Sequence, residues 1–446
     1  MKPVAAIFDI GKTNKKLFLF DEDYHIVEEY STRFDEISDE DGFPCEDIKA
    51  LKNWLTSQLK EKSTSGEFDI RAVNFSAYGA SLVYLDESGQ TLTPLYNYLK
   101  PYPENLAESL YQNYGGKEAF SIATASPALG SLNSGLQLYR LKKEQTHVFQ
   151  NVKYALHLPQ YLSSIVSGRY VDEITSIGCH TAIWDFQKAD YHQWVRQEGI
   201  TAKFPAIVTA QQTIMAGQYC VGSGLHDSSA ALIPYLQNFK EPFVLLSTGT
   251  WAISLNPFNH IPLTGAELAQ DCLCYLQYTG KPVKASRLFS GHEHEEQVKR
   301  IAAHFNRQVS AFNNLPFDPD KMTWLEKNIT QQIIATDNVS GFKSRALAEF
   351  KDAAIAYHQL IIDLVKQQVK STQLVMQGPA VNKIFVDGGF SRNEIYMQLL
   401  ARQFPDIEVY AATVAQATAL GAALVIANSW NSKGSPDAPI MLRRYH

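Results

Sequence analysis

The order strand, polar turn, strand, helix, strand, glycine-bearing turn occurs twice along the 446 residues, the second time offset by about 240. In the first half the apolar run Val4–Phe8 leads into the polar turn Asp9–Lys16, and alternating apolar residues follow at Leu17 and Leu19. His25–Phe34 adds a third stretch of β character, completing an antiparallel meander. Ile48, Leu51, Leu55 and Leu59 recur at spacings of three and four, which marks one face of a helix. The strand Ala72–Phe75 then runs into Ser76-Ala77-Tyr78-Gly79. In the second half Phe243–Leu246 is the strand, Ser247-Thr248-Gly249-Thr250 the turn and Trp251–Leu255 the returning strand. A helix bearing Leu347, Phe350, Ala354, Tyr357, Ile361 and Leu364 follows. The strand Ile384–Val386, the turn Asp387-Gly388-Gly389 and a helix from about Asn393 to Gln403 close the pattern. Identity between the halves is negligible, so what repeats is an architecture. Two α/β units are expected, over residues 1–238 and 239–446, with the break in Leu236–Pro242.

Composition narrows the function classes. Hydrophobic residues are 45% of the chain, enough for a sizeable core, which excludes global disorder. Forty Lys+Arg against 46 Asp+Glu leave a net charge of −6, with no electrostatic footprint for nucleic acid or a membrane surface. The five cysteines are odd in number, and the pair Cys272 and Cys274 fits neither a zinc knuckle nor a redox CxxC. A reduced, cytoplasmic setting is expected. No signal-peptide core fits before Asp9, and no run of 18 apolar residues occurs.

Several turns carry chemistry. Ala6–Thr13 meets a loose phosphate-loop pattern, but Ile7 and Phe8 belong to the strand and Leu17–Phe20 continue as strand where that motif needs a helix. A hairpin turn whose backbone N–H groups, with Thr13 or Asn14, face a phosphate chain fits better, and Asp9 then stands where a Mg²⁺ ion could be held. A plain surface hairpin is the competing reading. Thr248-Gly249-Thr250 occupies the equivalent place in the second half and could close on the same phosphates. Gly388 and Gly389 permit close approach of a flat ligand and Asn393 could bond its edge, or Asn393 simply caps a helix. Asp227, after Gly222-Ser223-Gly224-Leu225-His226, is either a helix cap or the carboxylate that takes the proton of an attacking hydroxyl. His292-Glu293-His294-Glu295-Glu296 lacks metal-ligand spacing and is expected as a solvated helix start, with Gly291 a close-approach point.

In order, these pieces resemble the FGGY carbohydrate kinases of the actin-like ATPase group. The carriers are DIGKTNKK at 9–16, SAYGASLVYLDESG at 76–89, LHDSSAAL at 225–232, LSTGTWAISL at 246–255, VDGGFSRN at 386–393 and ATALGAALV at 417–425. The motifs look most like the rhamnulokinase and fuculokinase branch, as a divergent subgroup. The resemblance implies an α/β fold of two actin-like (ribonuclease H-like) domains with the active site in the cleft between them. It implies ATP and Mg²⁺ as cofactors, with Asp227 as general base and Asp9 and Asp227 at the metal. Gly11, Lys12, Thr13, Asn14 and Lys16 match the first phosphate loop, and Thr248, Gly249 and Thr250 the second. Gly291, Gly388, Gly389 and Asn393 fall where the family contacts nucleotide. Ser76, Tyr78, Gly79 and Ser81, with His226, match the sugar-contacting turn.

Two departures stand out. Lys12 and Lys15 add charge to the first loop, which points to altered nucleotide handling, and Tyr96-Asn97-Tyr98-Leu99-Lys100 replaces a W-x-D-x-R sugar-recognising segment. The expected reaction is phosphorylation of a ketose such as L-rhamnulose or L-fuculose, with a pentulose or polyol as alternative substrates. An ATPase switch and a non-catalytic sugar sensor are the rival functions. The expected partner is a small sugar, with no nucleic acid and no membrane, and a homodimer is left open.

Overall fold

The computed structural model describes residues 1–330, 340–414, 416–434 and 440–446. The meander forms as β1 (Lys2–Ile10), β2 (Lys15–Phe20) and β3 (Ile26–Thr32), all antiparallel. The helix α1 (Ile48–Thr64) then returns the chain to β4 (Phe68–Ala77), parallel to β1. Asp47 caps α1 by accepting hydrogen bonds from the amides of Lys49 and Ala50, and Ile48, Leu51, Leu55 and Leu59 are buried as the spacing requires. Later come β5 (Thr213–Ala216), β6 (Tyr219–Gly222) and the two-residue β7 (Leu225–His226). The sheet order is β5-β6-β4-β1-β2-β3, with β7 also on β4. The helix α2 (Asp227–Asn238) leads out of it.

The second sheet repeats the plan. β8 (Phe243–Thr248) and β9 (Ala252–Asn256) are antiparallel, β10 (Cys272–Leu276) and β11 (Pro282–Leu288) extend that edge, and α3 (Ser290–His304) and α4 (Ala353–Val375) follow. β12 (Lys383–Gly388) returns parallel to β8, then α5 (Glu394–Gln403), β13 (Glu408–Thr413), α6 (Ala417–Leu424) and β14 (Met441–Tyr445) complete the chain. The order is β10-β11-β9-β8-β12-β13-β14, so both sheets join an antiparallel meander to parallel strands, as the repeat predicts.

Several sequence expectations are corrected. β1 runs through Ile10 and β2 starts at Lys15, so the first turn is only Gly11–Asn14 and Asp9 is a strand residue. Trp251 stands outside β9. The apolar periodicity from Leu347 overshoots α4: Leu347 lies in a short 3₁₀ turn and Phe350 precedes the helix, which starts at Ala353 behind the cap Asp352. Both apolar side chains are buried from the turn, which preserves the spacing without helical backbone. Strands β10 and β11 were not foreseen. The C-x-C spacing is the two-residue period of β10, which sends Cys272 and Cys274 to one face and Leu273 and Tyr275 to the other. All five cysteines are free and buried.

The helices α2 and α6 are packed between the two sheets. Their buried residues share one core with Ala5, Ile7, Phe18 and Phe20 of the first sheet and Phe243, Leu245 and Phe385 of the second. A side chain at Gly421 would collide with the carbonyl oxygen of Ala230, which explains the small residues of the 417–425 motif. Buried Asn74 on β4 donates to Ala422 O at 2.7 Å and accepts from Gly224 N at 3.1 Å, tying α6 to the first sheet. Among the described residues no helix is long and apolar enough to cross a membrane.

Candidate active site

Three parallel strand ends meet at one edge of the first sheet. β4 is the middle one, with Asp9 of β1 opposite Ser76 and His226 of β7 opposite Ala77. Asp227 follows directly as the first residue of α2, and His226 is the cap. Asp227 therefore does not occupy the cap position that was one of its two expected roles. Carboxyl ends of parallel strands are where an α/β sheet exposes backbone and side chains to a ligand.

Both carboxylates are held far from their usual state. Burial pushes Asp9 up to about 6, the charge of Asp227 adds to the rise, and a hydrogen bond from Thr418 partly offsets it. Burial likewise pushes Asp227 up to about 6, against the hydrogen bonds from Ser228. The two oxygens of Asp227 are not equivalent. Oδ1 accepts from Ser228 N at 2.6 Å and Ser228 Oγ at 3.2 Å, and His226 Nε2 lies 3.1 Å away. Burial keeps His226 neutral, pushing it down to about 3. Cys179 Sγ lies 2.9 Å from the same ring nitrogen. Oδ2 has no hydrogen-bond partner among the described residues, so it is the oxygen free to take a proton.

The turn Ser76–Ser81 lies against His226. Gly79 must be glycine, since a Cβ there would stand 2.6 Å from Cys179 Sγ and 3.3 Å from the His226 ring. Ser76 and Ser81 are buried beside it, and Ser176 Oγ and His157 Nε2 are buried without a hydrogen-bond partner among the described residues. The Tyr78 hydroxyl is committed to Glu46. Tyr98, in the segment that departs from the family pattern, stands edge-on to Tyr78 at 6.0 Å. Its hydroxyl is pushed up by burial and then by the charges of Asp227 and Glu46.

The first turn closes through Gly11 N to Asn14 O at 2.9 Å. Lys12 pairs with Glu36 at 3.0 Å, Lys16 with Glu29 at 3.1 Å, and Asn14 accepts from Arg33 at 2.7 Å. Thr13 is exposed. Lys15, expected as an added loop charge, is instead buried and paired with Glu46. A strand's alternation sends Lys16 outward and therefore Lys15 inward.

On the second sheet a cavity of about 690 Å³ opens between Gly249, Thr250, His294, Tyr357, Gly389 and Asn393. That volume suits a nucleotide. Gly249 and Thr250 are exposed to it, whereas the Thr248 hydroxyl is used internally, accepting from Phe390 N at 3.0 Å and donating to Asp387 O. Gly291 and Gly388 have a packing reason: side chains there would strike the carbonyl oxygens of Gly249 and Thr248. Asn393 does cap α5, accepting from Tyr396 N at 3.1 Å, while its amide nitrogen donates to Tyr357 Oη at 2.8 Å. The expected solvated start of α3 holds for His292, Glu295 and Glu296 but not for His294. His294 turns inward, with Nε2 3.0 Å from Tyr357 Oη and its ring edge-on to Phe390, and burial pushes it down to about 4.

Sequence reasoning missed Glu46, Tyr98, Cys179, His294, Tyr357 and Thr418. Tyr98 and His294 sat in a departure from a motif and in a polar cluster, Tyr357 on the apolar face of a helix and Thr418 in the ATALGAALV motif, none of them with a role at the site.

Residues 4–227 match the FGGY family of carbohydrate kinases, N-terminal domain, and residues 240–434 match carbohydrate kinase FGGY, C-terminal domain. A rhamnulokinase of Halalkalibacterium halodurans is 25% identical over 182 residues, 40% of this chain and 37% of that protein. One of Oceanobacillus iheyensis is 21% identical over 244 residues, 52% of this chain and 51% of that protein. The matches thus span about half the length of these curated relatives or less. A carbohydrate kinase from Novosphingobium aromaticivorans superposes with a TM-score of 0.81 at 24% identity, over 99% of this chain and 94% of that one. Ligand-bound xylulose kinase from Lactobacillus acidophilus gives 0.76 at 16%, over 99% and 93%. Plasmodium falciparum glycerol kinase with ADP gives 0.71 at 14%, over 100% and 94%. At these identities the superpositions speak for the fold, and the two domain matches in sequence carry the assignment: the chain belongs to the FGGY family of carbohydrate kinases.

Proposed function

We propose that this chain transfers the γ-phosphoryl group of ATP to a hydroxyl of a small sugar, with Asp227 as general base. The observation that carries the reading is the pair of carboxylates, Asp9 on β1 and Asp227 directly after β7, the two strands that flank β4, each pushed up to about 6. Their mutual repulsion and hard oxygen donors suit a divalent cation, and Mg²⁺ bound there would neutralise charge on the phosphates. Asp9 and Asp227 are the residues proposed to hold it. In the transfer the sugar oxygen forms a bond to the γ-phosphorus, the bond to the bridging oxygen breaks, ADP leaves, and the sugar proton passes to Asp227 Oδ2. At pH 7 a carboxyl of pKa about 6 is ionised in a ratio of roughly ten to one, so the base is ready while remaining basic enough to accept the proton.

The cavity beside Gly249 and Thr250 is assigned to the nucleotide, and the Gly11–Asn14 and Thr248–Thr250 turns to its phosphates. The sugar is assigned to the turn Ser76–Ser81, walled by Tyr98. A 6-deoxy-ketose such as L-rhamnulose or L-fuculose is the preferred substrate, supported by the rhamnulokinase relatives. Pentuloses and polyols are the alternatives, since the similar structures include xylulose and glycerol kinases.

ADP release with Mg-ATP and a panel of ketoses and polyols tests the reading. Sugar-dependent release that vanishes in Asp227→Asn supports it. Sugar-independent release would favour an ATPase switch, and sugar binding without release a sensor.

A further inference from the structure

The first phosphate turn and the sugar-side turn are joined by a chain of buried polar groups. Lys15 is 3% exposed. Its ammonium donates to Gly11 O at 3.1 Å and Lys12 O at 3.0 Å, the two carbonyls at the base of the turn, and forms an ion pair with Glu46 Oε1. Glu46, itself 5% exposed, uses its other oxygen to accept from the Tyr78 hydroxyl. Tyr78 N in turn donates to Ile10 O at 3.1 Å, so its backbone and its side chain both lead back to the same turn.

This arrangement tolerates little displacement. A buried ammonium that loses its acceptors costs several kcal/mol, and so does a buried carboxylate that loses its cation. Any shift of Gly11 and Lys12 therefore drags Lys15, then Glu46, then Tyr78. The segment carrying Glu46 reinforces the link. It is a small hairpin, Ile37–Ser38 paired with Pro44–Cys45. From it Glu36 holds Lys12 at 3.0 Å, Asp39 holds Lys100 at 2.6 Å, and Pro44 O accepts from Asn97 at 3.1 Å. The hairpin thus grips the phosphate turn on one side and the segment bearing Tyr98 on the other.

We propose that Lys15, Glu46 and Tyr78 are positioning residues that make the order of the sugar-side turn depend on occupation of the phosphate turn. The inference rests on the reading of this cleft as a kinase site. Phosphates drawing the amides of Gly11–Asn14 into one conformation fix the carbonyls that Lys15 reads, and the fixed Lys15 fixes Tyr78 through Glu46. Linkage makes the effect reciprocal, so sugar tightens nucleotide binding by the same factor.

Amide hydrogen exchange of the full chain with and without Mg-ADP tests this, with binding followed in parallel by calorimetry. In the wild type, Mg-ADP slows exchange across residues 76–81 by at least about threefold. Lys15→Met and the nearly isosteric Tyr78→Phe, which leaves the buried ion pair intact, still bind Mg-ADP but lose the protection. Retained protection in both variants, or binding without protection in the wild type, would overturn the coupling alone. Failure of the wild type to bind Mg-ADP would overturn the kinase reading and the coupling with it.

Discussion

Thr418 Oγ1 donates a hydrogen bond to Asp9 Oδ2 at 2.8 Å, across 409 residues of chain. The donor opens the helix α6, which belongs to the second half by sequence and packs on the first sheet in space. The carboxylate that faces Asp227 is therefore tuned from the opposite half of the molecule. Thr418→Val removes the interaction that lowers the Asp9 pKa, so that pKa rises above about 6. A hydrogen bond to a charged group is worth about 1.5–3 kcal/mol, and the acid limb of the pH–rate profile should move up by roughly one to two pH units. A profile of kcat/KM against pH checks this, and an unmoved limb would mean that Asp9 ionisation does not govern the reaction.

Asp227→Asn should separate activity from stability. The general base contributes on the order of 10²–10⁴ in rate, and that factor is lost. Stability moves the other way. The folded pKa of about 6 lies above the ordinary 3.8, so the folded state holds the proton more tightly. The stabilisation it lends is complete below about pH 4 and is lost as pH rises through about 6, leaving the ionised form disfavoured at pH 7. With its side chain one-third exposed, the gain from Asn is on the order of 1 kcal/mol at pH 7. Thermal unfolding at pH 4.5 and pH 7.5 should show a rise in Tm only at the higher value.

Tyr357→Phe is expected to act on nucleotide and not on sugar. The hydroxyl receives Asn393 and meets His294, and its removal frees both inside the cavity. One or two lost hydrogen bonds correspond to about 1–1.5 kcal/mol, or roughly a five- to tenfold rise in the KM for ATP. Steady-state kinetics with each substrate varied in turn would show the split. An equal change in both KM values would place Tyr357 outside the nucleotide site.

Gly421→Val should unfold the junction between the sheets. The new side chain meets the Ala230 carbonyl, and α2 and α6 cannot separate without exposing the core that they share with both sheets. Overpacking of this kind costs typically 1–3 kcal/mol, and a backbone contact places the variant at the upper end. The drop in denaturation midpoint is the readout, and an unchanged midpoint would show that the helices are free to part.

What was legible in the sequence is what local periodicity and turn chemistry can carry. Val4–Phe8, the α1 face from Ile48 to Leu59, and the glycines at 388 and 389 announce their elements because each signal lies within a few residues of its effect. Asp9 was legible as an acidic residue closing a strand, and Asp227 as the acidic residue at the start of a helical stretch within LHDSSAAL. Their partners were not. Lys15 was read as a loop charge because its burial depends on Glu46, thirty-one residues away, and on which face of β2 is covered. His294 looked solvated because the ring it meets, Tyr357, comes from α4, 63 residues later. Thr418 stood in the ATALGAALV motif with nothing local to link it to Asp9. The sequence alone determined two repeated α/β halves and the candidate carboxylates Asp9 and Asp227, since backbone propensity and patterning act over short range. Only the tertiary structure decided which charges are buried, which oxygen of Asp227 is free and which half tunes Asp9, because desolvation and hydrogen bonding depend on groups that the chain brings together from far apart.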